Sequence, residues 1–229
     1  MYKTCKNMTK ERKNELILLF NQGFTYERIA ERFGTTRAYI ENQFREIRKL
    51  ENTYNLEHIE DKYRTNKLFK REIKPRTILD PFCGTKKFWE TTYWGLTVIS
   101  GDSGRHVKAD IKCSAQDLLT VFYKLDKKFD LIDIDPYGSP SEYLEKAIHL
   151  AKKGLIVTFG DTPNSMHRWG SKNDNHFKDL YGIDKKPIDV TGQDLADAVI
   201  QMARNQRKHL EVSYLKVWKN CIRIYFKVI

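Results

Sequence analysis

The sequence has no Cys-x-x-Cys pair. Its four cysteines, Cys5, Cys83, Cys113 and Cys221, are scattered along 229 residues, which argues against a zinc site, and no metal is expected. No secretory leader is recognisable, so free thiols and a cytoplasmic, reducing setting are expected. No apolar run approaches the roughly 20 residues of a membrane-spanning helix, so no membrane partner is expected. Internal repeats and low-complexity tracts are missing too. Acid is in deficit: 30 Asp and Glu stand against 41 Lys and Arg, a net charge of +11. That balance favours a polyanionic partner, nucleic acid above all. Hydrophobic residues make up 40% of the chain, enough for a core in one generous domain or two small ones.

The charge is denser at the start. Residues 1–71 carry 16 basic and 10 acidic residues, and the remaining 158 carry 25 and 20. The first part reads as helices. Thr9 can cap a helix that carries Leu16, Leu19 and Phe20 on one face and ends at Gly23. Thr25 can cap a short helix with Ile29, Ala30 and Phe33. Gly34 permits a sharp turn, and Thr35 or Thr36 can cap a second helix with Ile40, Phe44 and Ile47. This spacing resembles the helix-turn-helix units of DNA-binding regulators, although Thr35 stands where an apolar residue is more usual. Residues 1–51 are therefore expected to form a small all-α nucleic-acid-binding unit. Arg37, Tyr39, Glu41, Asn42 and Arg45 should lie on the exposed side of its second helix, and Arg and Asn are residue types that read base edges. Residues 52–74 read as a linker, partly helical.

From Pro75 the texture changes to alternating strands and helices over 75–229. "RTILD", "GLTVISGD", "FDLIDID" and "GLIVTFGD" read as strands that run into Asp80, Asp102, Asp135 and Asp161. "HVKADIKC" reads as a weaker strand. "SPSEYLEKAIHLAKK" reads as a helix with Ser139 at the N-cap and Glu142 completing a capping box. "GQDLADAVIQMARNQRKH" is amphipathic and helical, and the last twenty residues read as two strands with a turn near Lys219 and Asn220. Strands alternating with helices predict a Rossmann-like, mostly parallel α/β sheet closed by an antiparallel hairpin.

Ligands of open α/β sheets bind beyond the carboxyl ends of the strands. Four strands that end in acid therefore mark a site, because a buried charge is costly unless it binds something. Gly84 opens the turn after the first strand, where backbone can approach a ligand. Asp102 follows the next strand, where an acid can accept bonds from ribose hydroxyls. In "DIDPYG", Asp135 and the Pro136 carbonyl can both face an exocyclic base amine, and Tyr137 offers a ring for stacking. Asp133 shares a face with Asp135, one step deeper. The long stretch after Asp161 gathers His167, Arg168, Trp169, Lys172 and His176, cations and an aromatic suited to phosphates and a base.

Taken together, D-P-F-C-G, the acid-ended second strand and D-P-Y after a buried strand resemble the class I methyltransferases that use S-adenosylmethionine on base amines. "FDLIDIDPYGSPSEYL", "GLIVTFGDTPNSMHRWG" and "NCIRIYFKVI" are similar, more narrowly, to segments of the tRNA N2,N2-dimethylguanosine methyltransferases. The resemblance covers residues 76–229. It implies S-adenosylmethionine as cofactor, with Asp80, Phe82, Gly84, Asp102, Ala115 and Gln116 around it. It implies that Asp133, Asp135, Pro136 and Tyr137 form the catalytic segment, walled by Asp161 and Thr162. Lys86 departs from the pattern where a second glycine is usual, and Ser114 departs where an acid usually meets the adenine amine. The family's large C-terminal domain is expected to be absent.

The expected function is methylation of an exocyclic base amine, guanine N2 of tRNA by resemblance. The helix-turn-helix keeps duplex DNA open as the alternative, with adenine N6, cytosine N4 or guanine N2 as acceptor. Lys86 and Ser114 motivate a further alternative, a DNA-binding regulator with a catalytically weak methyltransferase domain.

Overall fold

The computed structural model describes residues 9, 11–12, 15–16, 19, 25–50, 56–84, 88–89, 95–162, 175–218 and 221–229, with the side chains of 44–50 and 56–59 left aside. They fall into two compact units, Met1–Ile59 and Glu60–Ile229.

The first unit is helical where described. Helix α1 (Tyr26–Phe33) starts at Thr25, whose hydroxyl accepts from the Arg28 N–H, and stops at Gly34. Gly34 has φ 61°, a left-handed conformation that a residue with a Cβ adopts at a cost. Helix α2 (Arg37–Leu50) follows. Thr36 is its cap, since its Oγ1 accepts from the Tyr39 N–H at 3.2 Å. Leu16, Leu19, Ile29, Ala30 and Ile40 form the small core, with Tyr26, Phe33 and Tyr39 packed against it. Phe20, Phe44 and Ile47 lie outside the described side chains.

The segment expected as a partly helical linker holds one long helix, α3 (Leu56–Ile73). From Glu60 onward it belongs to the second unit, and its Phe69 and Ile73 are core residues there. Its polar sequence hid this, because only a narrow stripe of it faces the sheet.

The sheet has six strands: β1 (Thr77–Asp80), β2 (Thr97–Ser100), β3 (Phe129–Ile134), β4 (Ala151–Phe159), β5 (Leu210–Trp218) and β6 (Cys221–Val228). Their order is β2-β1-β3-β4-β6-β5. The first four are parallel. Strand β6 runs antiparallel to both β4 and β5. This is the expected α/β sheet with a C-terminal antiparallel hairpin. One face packs Leu79, Ile132, Ile134, Leu155, Val157, Ile224 and Phe226 under helices α4 (Ala115–Lys124), α5 (Ser141–Leu150) and α7 (Gly192–Asn205). A short helix α6 (His176–Tyr181) adds Phe177 and Tyr181 to the same core. The other face packs Ile78, Leu131, Ile156 and Tyr225 under Phe69 and Ile73 of α3 and under Trp89. Helix α3 lies so close that a Cβ on Gly154 would come within 2.6 Å of Ile73 Cδ1 and 3.0 Å of the Phe69 ring. No described helix is long and apolar enough to cross a membrane.

Three local readings are corrected. "HVKADIKC" forms a single bridge, Gly101 to Ile111, and no strand. Asp110 takes the ladder's place: its Oδ2 accepts from both the N–H and the hydroxyl of Ser100, each at 2.8 Å. Helix α5 ends at Leu150, and β4 begins at Ala151, before the glycine. The half-buried Lys208 ammonium ends it, donating to the Ile148, His149 and Ala151 carbonyls at 2.6–2.8 Å. Ser139 makes no capping box for α5, because Pro140 holds the cap position. A full box occurs instead at Thr191 and Asp194, at the start of α7.

Candidate active site

The sheet gathers acid at the carboxyl ends of its strands. Asp80 ends β1, Asp133 lies in β3, and Asp135 follows it. The parity of a strand puts Asp133 and Asp135 on the face that α3 covers, together with Leu131 below them. There the apolar floor gives way to a buried polar network. Arg223 of β6 is wholly buried. It donates to Asp133 Oδ2 at 2.6 Å and to Thr158 Oγ1 at 2.6 Å. It also lies 3.6 Å from Asp135 Oδ1. Lys62 of α3 donates to Asp135 Oδ2. Trp89 donates its indole N–H to Asp133 at 2.9 Å. Asn66 accepts from the Tyr225 hydroxyl at 2.9 Å. Three carboxyls thus share two cations.

That imbalance sets the protonation states. Burial is the largest influence on Asp135 and acts to raise its pKa, but the Lys62 and Arg223 charges outweigh it and lower the carboxyl to about 2. Burial, and then the Asp133 charge, push Asp80 well above the ordinary carboxylate range. An acid raised in the folded state costs stability as pH climbs from its unfolded pKa, about 3.9, towards the folded one. Asp80→Asn is therefore expected to stabilise the chain, and by more at pH 7.5 than at pH 5. Thermal melts at the two pH values check this, and an unchanged or lower melting point at pH 7.5 would contradict it.

The candidate cofactor loop follows β1. Gly84 has φ 56°. Its N–H donates to Asp102 Oδ2 at 3.1 Å, and the Gly104 N–H donates to Asp102 Oδ1 at 2.6 Å. Asp102 thereby joins the turns after β1 and β2. The Phe82 N–H turns back to Asp80 Oδ1 at 3.3 Å, and the Phe82 ring packs on Tyr143. Gly101 has to be small, since a Cβ there would come within 2.4 Å of Leu118 Cδ2. Ala115 is buried at the start of α4, beside Gln116. The buried Gln116 Oε1 has no hydrogen-bond partner among the described residues. Ser114 is the cap of that helix, accepting from the Asp117 N–H at 3.1 Å, which accounts for a serine at this position. Lys86 lies outside the described residues.

Past Asp135, Pro136 is half-buried and Tyr137 is 67% exposed. Gly138 has φ 128°. Its carbonyl accepts from the Gly160 N–H at 2.8 Å, and a Cβ on Gly160 would meet Gly138 backbone at 2.9–3.1 Å. The turn after β4 therefore packs backbone to backbone on the loop after β3, and brings Asp161 and Thr162 alongside. Asp161 accepts from the Tyr181 hydroxyl at 2.9 Å and pairs with His176 Nε2 at 3.0 Å. Burial and the Asp161 charge push the Tyr181 phenol up.

The expected residues thus fall into groups. Asp80, Asp133 and Asp135 come together, Asp102 sits with Gly84 at the neighbouring loop, and Asp161 lies across from Gly138. In the first unit, Arg37 and Asn42 are exposed as expected, and the Arg37 guanidinium is held by Glu27 at 2.5 Å and Glu41 at 2.7 Å. Tyr39 is corrected: it is half-buried and packs against the helical core, because its position on α2 adjoins Ile40. The Arg45 side chain and His167, Arg168, Trp169 and Lys172 lie outside the described residues. Sequence reasoning missed Lys62, Arg223 and Trp89. Arg223 did carry a signal, a lone cation inside the apolar run "CIRIYF" that demands a buried acid. Lys62 carried none, being one basic residue among many in α3. Among the described residues, no group of His, Cys, Asp or Glu could hold a metal ion.

The strand order and the acid-lined strand ends define the class I methyltransferase fold. A structure of Trm1 from Pyrococcus horikoshii with S-adenosyl-L-methionine superposes on it with a TM-score of 0.52 at 17% identity, over 70% of this chain and 52% of that one. Residues 99–172 match the family of N2,N2-dimethylguanosine tRNA methyltransferases. A tRNA (guanine(26)-N(2))-dimethyltransferase of Methanospirillum hungatei JF-1 is 40% identical over 57 residues, which is 24% of this chain and 14% of that protein. The chain therefore resembles this family across its candidate catalytic segment, while spanning about half of the solved relative and matching a seventh of the curated one.

Proposed function

We propose that the chain is an S-adenosylmethionine-dependent methyltransferase that acts on an exocyclic amino group of a nucleic-acid base, guanine N2 of tRNA. The observation that carries this reading is Asp135: ionised, partly exposed at the exit of a buried parallel strand, and followed by Pro136 and an exposed Tyr137. A base amine is a weak nucleophile, because its lone pair is delocalised into the ring. Acceptors aimed at its N–H groups hold it and favour a more pyramidal nitrogen. The Asp135 carboxylate and the Pro136 carbonyl would be those acceptors, and the Tyr137 ring would stack a base taken out of its helix.

The residues of the Gly84 loop fit the cofactor. Asp102 is a carboxylate with lone pairs left for ribose hydroxyls, and Gln116 offers a buried acceptor without a partner, next to Ala115. Asp80, Phe82 and Gly84 would complete that side. S-adenosylmethionine supplies a methyl group already activated on a sulfonium. The chain's own work would be binding, orientation and exclusion of water. The similar proteins, tRNA guanine N2 enzymes and a complex with S-adenosylmethionine, support the same reading.

The turn geometry of the first unit favours a second reading, in which α2 places the chain on duplex DNA. One experiment separates the two: transfer of labelled methyl from S-adenosylmethionine to tRNA and to duplex DNA in parallel, with nucleoside analysis, at several salt concentrations. The expected result is N2-methylated guanosine from tRNA, with the Michaelis constant rising steeply with salt as basic contacts to phosphate are screened. Methylated adenine or cytosine in DNA would favour the second reading. Transfer to neither would leave a DNA-binding regulator.

A further inference from the structure

We propose that Lys62 is a positioning residue for the methyl-accepting amine, holding the Asp135 carboxylate so that its open side faces that amine. The inference rests on the function proposed above. Lys62 comes from α3, 73 residues before Asp135 and outside the segment that matches the tRNA methyltransferase family. Its side chain is 8% exposed and that of Asp135 is 20% exposed, so the pair sits at the edge of the site with only the acid reaching solvent. The ammonium is confined on two sides. It donates to Asp135 Oδ2, and it lies 4.3 Å from the centroid of the Phe88 ring. Phe88 is itself held by the Tyr63 ring, 4.4 Å away and one helix position after Lys62. Arg223 stands at 3.6 Å from the other oxygen. An ionised carboxylate has about four acceptor sites. Two cations fix its plane and leave sites on the exposed side for an amine N–H.

The groups that face Asp135 make Lys62 hard to replace. Asp80 faces it from β1, Asp133 from β3, Thr158 from β4, and Cys221, Arg223 and Tyr225 from β6. Arg223 is already committed to Asp133 at 2.6 Å. Asp80, raised by burial and by the Asp133 charge, already takes up a proton most readily. Without Lys62, Asp133 and Asp135 share that one guanidinium, and Asp135, at 3.6 Å from it against 2.6 Å for Asp133, is the less firmly held as an anion. A protonated Asp135 is a donor on one oxygen and no longer draws an amine.

The test is the pH profile of kcat for the wild type, Lys62→Met and Lys62→Arg, from pH 5.5 to 9. A parallel 13C NMR titration of aspartate carboxyls in the cofactor-free chain needs no activity. The wild type and Lys62→Arg should show no acid limb from this carboxyl. Lys62→Met should be slower at pH 6 than at pH 8.5 by roughly tenfold or more, with a slope approaching one, and its Asp135 carbon should titrate in the same range. A Lys62→Met profile equal to that of the wild type would overturn the proposal. So would a faster rate at every pH, which would make Lys62 a plug on the acceptor. If the wild type transfers no methyl at all, the functional reading fails, and an unmoved Asp135 titration in Lys62→Met would still overturn the positioning role by itself. Should Lys62→Met not fold, Lys62→Gln keeps a donor without the charge and carries the same expected and overturning results.

Discussion

Asp135→Asn is expected to slow methyl transfer on the order of 10²–10³-fold, the cost of removing one preorganised charge from a reacting centre. Cofactor affinity should stay close to that of the wild type, since Asp102, Gly84 and Gln116 lie on the neighbouring loop and helix. The substitution keeps the shape of the side chain and one acceptor oxygen. It removes the negative charge that Lys62 and Arg223 hold in place and that would steady positive charge growing on the amine nitrogen. Asp133→Asn is the informative companion. Asp133 is buried, and its Oδ2 already accepts from Trp89 and Arg223, so it meets the protein and not the base. Its loss should show in the melting point more than in the rate. Single-turnover methyl transfer and thermal melts on both variants separate the roles. Wild-type transfer by Asp135→Asn would remove the segment after β3 from the catalytic site.

Arg223→Met should be the most damaging change to folding in the second unit, at about 3–5 kcal/mol. Domains have only about 5–15 kcal/mol in total. The methionine fills much of the space, so the loss is electrostatic. Asp80, Asp133 and Asp135 would be left with Lys62 alone, and Thr158 and Asn66 would each lose a donor. Arg223→Lys keeps the charge but not the planar fork that reaches Asp133 and Thr158 together, and should fall between. Replacing both partners, Asp133→Leu with Arg223→Met, should recover part of the loss, because an apolar pair leaves fewer stranded charges. Urea unfolding of the three variants measures this. A cost for Arg223→Met below about 1 kcal/mol would mean that the network contributes little to stability.

The half-buried Lys208 ammonium shows a second way in which cations shape this fold. Burial lowers it to about 8, and its three carbonyl partners still hold it at the end of α5. The stop that "HLAKKGL" offers is Gly154, beyond the true end of the helix at Leu150. The stop comes from a lysine some 57–60 residues further on, and for that reason the helix reads too long from sequence.

The sequence by itself determined what depends on neighbours along the chain. Apolar runs that end in acid marked β1, β3 and β4. The acid after β2, the glycine after β1 and the Asp-Pro-Tyr-Gly step after β3 marked the candidate site. Thr25, Gly34 and Thr36 set the turn between α1 and α2, since caps and left-handed glycines act within one turn of helix. Tertiary structure alone decided the rest. The acids at the strand ends do not act as four equals: Asp80 and Asp135 join Asp133 in one buried cluster, while Asp102 and Asp161 bind backbone and tyrosine elsewhere. What divides them is two cations, Lys62 at a separation of 73 residues and Arg223 at 90 from Asp133. No local pattern announces such a pairing. It exists because α3, polar along most of its length, lays its one apolar stripe on the sheet, and because β6 inserts beside β4 with an arginine at the level of Thr158. Local chemistry fixed which residues could react, and long-range packing fixed their charge.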